Sequence, residues 1–268
     1  MSEVNKFRQI GDQCQLLGIP FSESEAAALS CRLNMSEEEI AKLCSVFDYL
    51  ADKKNQSIVS TCLKLSRLPL KEPKTFEGFD FSRLHGKDIE KLKNIDTLSP
   101  LYEQKNLAFI GPQGIGKTHL AMAFGRKCCE KGIKAYFLKA TELEQRLTAA
   151  RKNDRIGALT NGLVKPSCLI IDEIGRCSFD RENTRIFFDI VDRRSNKEGP
   201  NCMIFTSNKT PDTWGEYFDE TDSLLCALDR IFDNARVFMM KGESYRGRKL
   251  ETIAVEAGGT SKLLGIKN

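Results

Sequence analysis

Gly111-Pro112-Gln113-Gly114-Ile115-Gly116-Lys117-Thr118 satisfies the pattern G-x-x-x-x-G-K-[ST] in full. An apolar run, Leu107 to Ile110, leads into it and a helical pattern follows, the context in which such a loop wraps phosphate. The glycines let the backbone turn tightly and aim N–H groups at phosphate oxygens, and the helix start adds its dipole. Lys117 then reaches the β- and γ-phosphates, and the Thr118 hydroxyl holds Mg2+. A glycine-rich turn that binds nothing would need neither the full motif nor its context. His119, on the first helical turn, stands beside this loop as a further nucleotide-site candidate. A packed or solvated imidazole is its simpler reading.

A second apolar run, Ser167 to Ile171, leads straight into Asp172-Glu173. Asp172 is the candidate magnesium ligand, directly or through water, and Glu173 the candidate base for an attacking water. A solvated carboxylate pair is the bland alternative, weakened by the apolar strand leading into it. A third run, Cys202 to Phe205, ends in the polar cluster Thr206-Ser207-Asn208, which would lie beside the carboxylates if the strands are neighbours.

Five ordered segments, GPQGIGKTHLA, LIIDEIG, IFTSNKTPDTWGEYF, ALDRIFDNARVFMMKGESYR and the upstream TFEGFDFS, resemble the IstB-like transposition helper ATPases. These are relatives of the DnaC helicase loaders among the AAA+ ATPases. The resemblance spans roughly residues 60–248. It implies an α/β fold: a three-layer α/β/α AAA+ P-loop core with a five-stranded parallel sheet of order 5-1-4-3-2, preceded by a small helical domain. It also implies ATP and Mg2+ as cofactors and hydrolysis at sites shared between subunits of a homo-oligomer assembled on ATP and DNA. Asn208 resembles the asparagine that helps position the water. Arg230, in Leu-Asp-Arg, resembles the finger that reaches a neighbour's γ-phosphate, and Arg246, in Ser-Tyr-Arg, is a second phosphate-contacting candidate. For Arg230 the bland reading is an ion pair with Asp229 or Asp233. The implied function is an ATP-dependent DNA-binding ATPase that assists a transposase in choosing its target. The alternative is a DnaC-like loader of a replicative helicase. A small-molecule kinase and a non-hydrolysing nucleotide-gated scaffold are rivals from other classes.

Between the second strand and the Asp-Glu strand, Arg146, Arg151, Lys152 and Arg155 are the candidate DNA contacts. In the relatives this stretch is an inserted helical element on DNA. No aromatic residue interleaves the cations, so backbone contact with little base readout is expected. A solvated charged face is the alternative. Asn153-Asp154 suggests a break between two helices there.

The elements that must position these residues follow from periodicity. Strand-like runs at Asn106–Ile110, Ala135–Leu138, Cys168–Ile171, Met203–Thr206 and Val237–Met240 alternate with helical patterns, the signature of βαβ units and a mostly parallel sheet. Upstream, Ser22/Glu25 and Ser36/Glu39 have capping-box spacing, and Ile40, Leu43, Phe47 and Leu50 mark a helix face. Pro69, Pro73 and Gly78 break the pattern. The expected organisation is a helical domain over 1–65 for DNA or partner binding, a linker over 66–82, an ATPase core over 83–250 and a tail over 251–268.

Hydrophobic residues are 41% and charged residues 29% of the 268, enough apolar content for a real core and too much for a disordered chain. The net charge of +4 is small. Residues 1–70 hold one more acid than base, whereas the resemblance implies a basic amino-terminal domain. That departure favours a protein partner over DNA for this region. No apolar run approaches the roughly 18–20 residues that span a bilayer, and MSEVNKFRQIGDQ lacks a signal-peptide core. A cytoplasmic protein with no membrane partner is expected. Ten cysteines without a C-x-x-C pair, helped only by His85 and His119, read as reduced, partly buried thiols rather than a zinc site.

Overall fold

The computed structural model describes residues 3–84, 86, 88–219 and 221–242. Three helices, α1 (Glu3–Leu17), α2 (Glu23–Leu33) and α3 (Glu37–Leu65), open the chain. Ser22 and Ser36 cap α2 and α3. Each hydroxyl takes the N3 amide, and Glu25 or Glu39 reaches back to the serine N–H at 2.8 Å, so both capping boxes close. Ile10, Cys14, Ala26 and Cys44 form a small core, with Phe7, Phe21, Leu43 and Phe47 packed on it. The expected stripe on α3 fails at Leu50, which is 42% exposed. The reason is the helical period: at about 100° per residue Leu50 lies roughly 80° from Ile40, whereas Ala51 lies only about 20° away. Ala51 is the buried residue.

The rest is a sheet between helical layers. Strands β1 (Asn106–Ile110), β2 (Ala135–Lys139), β3 (Cys168–Ile174), β4 (Cys202–Ser207) and β5 (Ala235–Met239) pair in parallel in the order β2-β3-β4-β1-β5. Read from the β5 edge, this is 5-1-4-3-2. Helices α4 (Ile89–Lys93), α5 (Ser99–Tyr102), α6 (Lys117–Glu130), α7 (Ala140–Lys152), α8 (Ile156–Val164), α9 (Arg181–Ser195) and α10 (Thr221–Phe232) are the other α-helices among the described residues. Because both faces are covered, the middles of β1, β3 and β4 are continuous apolar runs, whereas β5 at the edge is only partly buried. Leu107 and Phe109 face one core with Leu120, Phe124 and Cys128 of α6. Ala108 and Ile110 face the other with Leu143, Leu147, Phe187 and Ile190. α7 and α8 separate at Asn153-Asp154, where Asp154 takes φ 52°. All ten cysteines are free thiols.

Residues 66–82, read from sequence as a joint, are packed. Leu68, Phe76 and Phe79 enter the α6-side core, as does Cys62 near the end of α3. The Ser66 carbonyl accepts the Phe137 N–H at 2.9 Å, which satisfies one amide on the outer edge of β2. Among the described residues no helix is long and apolar enough to cross a membrane.

Candidate functional site

The phosphate-loop motif leaves the sheet at the carboxyl end of β1. A Cβ on Gly111 (φ 155°) would sit 2.2 Å from the Met240 carbonyl oxygen, and one on Gly116 (φ 98°) would sit 2.5 Å from the Phe79 ring. Both positions therefore need glycine, for close approach and for backbone conformation. Ile115 between them is buried and anchors the loop in the core. Helix α6 starts at Lys117 behind Gly116, which has no side chain to cap it. Its first amides thus face the loop as an anion site.

Lys117 is 7% exposed and points inward. Its ammonium donates to the Gly111 carbonyl at 2.8 Å, the Pro112 carbonyl at 2.7 Å and Asn208 Oδ1 at 2.7 Å. Thr118 Oγ1 donates to Asp172 Oδ1 at 2.7 Å, and Thr206 Oγ1 donates to the same oxygen at 2.6 Å. Burial pushes the Asp172 carboxyl above its ordinary value, the two hydroxyls pull it back, and the neighbouring Glu173 charge raises it again.

Sequence reading places Asp172-Glu173 at the end of β3. The strand instead runs through them to Ile174, and its register with β4 slips between Ile171 and Ile174. Glu173 takes φ 62°, a backbone state that costs a non-glycine residue about 1–3 kcal/mol and persists only where its surroundings enforce it. Its N–H donates to Thr206 Oγ1 at 2.9 Å, and its carboxylate accepts from Arg176 at 2.6 Å.

The site opens onto a cavity of about 610 Å³, of the size that small-molecule sites occupy, with Asp172 buried behind Thr118 and Thr206. Gln113, Gly114, Gly116, Lys117, Thr118, His119, Glu173, Thr206, Ser207 and Asn208 line it, and so do Lys74, Gly78, Phe79 and Asp80. Sequence reading does not pick out that last group as site residues: Lys74 stands just before TFEGFDFS, and the other three lie within it, in a stretch that reads as a proline-rich joint. His119 packs edge-on against Phe79, with ring centroids 5.4 Å apart, and its Nε2–H donates to the Thr75 carbonyl at 2.8 Å. Burial pushes its imidazole below the usual value. His119 therefore ties the 75–79 segment to α6 at the rim of the cavity. The glycine-only cradle and the uncapped helix start fit a triphosphate, and the Thr118–Asp172 oxygens are the hard donors Mg2+ takes.

The model of the IstB-like ATP binding protein family matches residues 23–252. The chain belongs to this family. It is 32% identical to the ATP-binding protein of insertion sequence IS5376 of Geobacillus stearothermophilus, over 90% of this chain and 94% of that one. It is 33% identical to that of IS21 of Pseudomonas aeruginosa, over 76% and 75% respectively. Among solved structures, AMPPCP-bound DnaA from Aquifex aeolicus superposes with TM-score 0.53 at 21% identity, covering 66% of this chain and 52% of that one. The DnaC helicase loader superposes with TM-score 0.51 at 17% identity, covering 63% and 97%. These likenesses place the core in the AAA+ fold.

In this IstB-like protein Arg230 does not line the cavity. Its guanidinium pairs with Asp192 of α9 at 2.9 Å and lies over the Phe188 ring at 5.1 Å, so the bland pairing with Asp229 or Asp233 is corrected to Asp192. α10 packs on α9, which brings together two residues far apart in sequence. Arg230 borders a hollow with Asn106 and Asn201, at the amino ends of β1 and β4. A five-residue strand at about 3.3 Å per residue puts it on the order of 15 Å from its own phosphate loop. Arg146 donates to the Tyr136 hydroxyl at 2.6 Å and pairs with Glu142 at 2.9 Å. Arg151 pairs with Asp180 at 2.7 Å. Lys152 and Arg155 are exposed. Arg246 lies outside the described residues, as does His85.

Proposed function

We propose that this chain is an ATP-dependent DNA-binding ATPase that assembles on DNA and presents a site to a transposase. The observation that carries the reading is the convergence of Lys117, Thr118, Glu173 and Asn208 on one cavity, with Asp172 buried directly behind Thr118, in a chain whose relatives are named for insertion sequences.

In this mechanism the loop amides and Lys117 hold the triphosphate, Lys117 exchanging its carbonyl partners for phosphate oxygens. Thr118 and Asp172 hold Mg2+, which supplies positive charge for the phosphate oxygens. Glu173 accepts the proton of a water that attacks the γ-phosphorus as the bond to the bridging oxygen breaks. Asn208 orients that water. Arg230 is too far from its own loop to serve it, so it completes the site of a neighbouring subunit. Arg246 is a further phosphate contact. Lys152 and Arg155 meet DNA phosphates first, and Arg146 and Arg151 join if they exchange their present partners. The loader alternative draws on a likeness that carries the fold alone, so the insertion-sequence relatives favour the transposase.

The test is ATPase rate against protein concentration, with and without duplex DNA, for the wild type, Glu173→Gln and Arg230→Ala. The expected result is a steep rise with concentration and with DNA, abolished in both variants. A rate per subunit flat in both would overturn shared sites and DNA dependence together. Capture by transposase or by replicative helicase then separates the two partners.

A further inference from the structure

The backbone of β3 changes character where its chemistry begins. Up to Ile171 it keeps register with β4, Ile171 facing Phe205, and pairing resumes with Ile174 facing Ser207. Three steps along β3 thus match two along β4, a bulge that re-aims a side chain. Two hydroxyls from β4 close the gap. Thr206 Oγ1 accepts the Glu173 N–H at 2.9 Å while donating to Asp172 Oδ1 at 2.6 Å, and Ser207 Oγ donates to the Ile174 carbonyl at 2.7 Å. Thr206 and Ser207 are each 1% exposed.

We infer that Thr206 is a positioning residue for hydrolysis: its one hydroxyl fixes the metal-side carboxylate of Asp172 and the backbone of Glu173 relative to each other. This rests on the reading of Glu173 as the base. A hydroxyl has one proton to give and lone pairs to receive. Here the proton goes to Asp172 and a lone pair takes the Glu173 amide, so both bonds depend on the same atom. Valine has the same shape without either bond. It leaves the Glu173 amide without this acceptor and the positive-φ residue without its tie to β4, so the Glu173 carboxylate loses its aim into the cavity. Serine keeps both bonds. Thr206 acts through Asp172 and Glu173.

The experiment measures kcat, KM and the affinity for a non-hydrolysable ATP analogue with Mg2+ in four variants of the full chain on DNA: Thr206→Val, Thr206→Ser, Glu173→Gln and the Thr206→Val/Glu173→Gln double. Thr206→Val is expected to lower kcat by about 10–100-fold, a fraction of what a general base contributes, with analogue affinity within about 3-fold. Thr206→Ser should restore the rate, and the double variant should turn over no more slowly than Glu173→Gln alone, as coupled residues do. A Thr206→Val kcat within about 2-fold of wild type, or losses that multiply in the double variant, would overturn the inference. Equal losses of rate and affinity would also overturn it, since they mark a merely structural role. If Glu173→Gln itself turns over at the wild-type rate, the base assignment falls, which is a separate outcome. Should Thr206→Val fail to fold by circular dichroism, Thr206→Ala and Thr206→Ser give the same comparison.

Discussion

Replacing Gly116 by alanine tests whether the phosphate loop is held by the ring beneath it. Gly116 has φ 98° and ψ 9°, where an L-residue pays about 1–2 kcal/mol. The new Cβ would lie 2.5 Å from Phe79 Cε2 and 3.1 Å from Cζ, so the ring must retreat by roughly 1 Å to reach ordinary contact. Phe79 is buried, with the Phe81 ring centroid 4.7 Å away on one side and His119 on another. A retreat in such packing costs about 1–3 kcal/mol. Gly116→Ala should therefore destabilise by about 2–5 kcal/mol. In a Phe79→Ala background, itself about 3–5 kcal/mol less stable, only the backbone part remains. The two substitutions should then couple favourably by about 1–3 kcal/mol. Urea unfolding followed by Trp214, the one tryptophan and 1% exposed, measures each corner of the cycle, with circular dichroism as the second probe. If Gly116→Ala costs the same with and without the Phe79 ring, the ring contact is not what reserves this position for glycine.

Among the described residues, buried Arg194 has no carboxylate partner. It donates to the carbonyls of Leu163, Val164, Pro166, Ser167 and Cys202 and to Asn201 Oδ1, at 2.7–3.2 Å. Burial pushes it down to about 10, still charged at neutral pH, and Arg194→Ala should cost about 3–5 kcal/mol in urea unfolding by stripping those acceptors. Asp180 caps α9 by accepting the Asn183 N–H at 2.7 Å, and Asp180→Ala should cost about 1–2 kcal/mol. That amide first, and Arg151 with it, hold the Asp180 carboxyl below its ordinary 3.8. Its contribution is therefore complete above pH 3.8 and lost as pH falls through the folded value. Tm against pH should be flatter in the variant below that point. If DNA is met through phosphates, Lys152→Ala with Arg155→Ala should reduce the log–log salt slope of duplex binding by about 2, at roughly 0.9 per phosphate. An unchanged slope would remove these residues from the interface.

What the sequence makes legible here is whatever one continuous segment specifies. The strand–loop–helix at Leu107–Thr118 and the two capping boxes are local, and each spacing carries its own geometry. The inner strands announce themselves because a doubly covered parallel sheet demands continuous apolar runs; β5, at a partly exposed edge, does so less clearly. Sites built from two segments are harder. Asp192 of α9 holds Arg230 of α10, and nothing local in Leu-Asp-Arg favours that partner over Asp229 or Asp233. Phe79 beneath Gly116 hides in a stretch whose prolines and glycine advertise a loop.

Thr206 marks the boundary between the two cases. Once β3 and β4 are taken as parallel neighbours with Cys168 facing Cys202, counting along both strands brings Asp172 opposite Thr206. A hydroxyl beside the Asp172 carboxylate is then readable from sequence plus register. The bulge is not. A strand reading assumes one residue per step, and under that assumption Glu173 would face Ser207 with its side chain on the opposite face from Asp172. The observed pairing delays Ser207 until Ile174, and a positive φ at Glu173 turns the chain so that both carboxylates serve one end of the sheet. Local propensity gives no hint of it, because glutamate has no preference for that backbone state. A buried hydroxyl from another strand takes the displaced amide, and a second one donates to the next carbonyl. The acidic pair is thus legible as chemistry from β3 alone, but its geometry belongs jointly to β3 and β4.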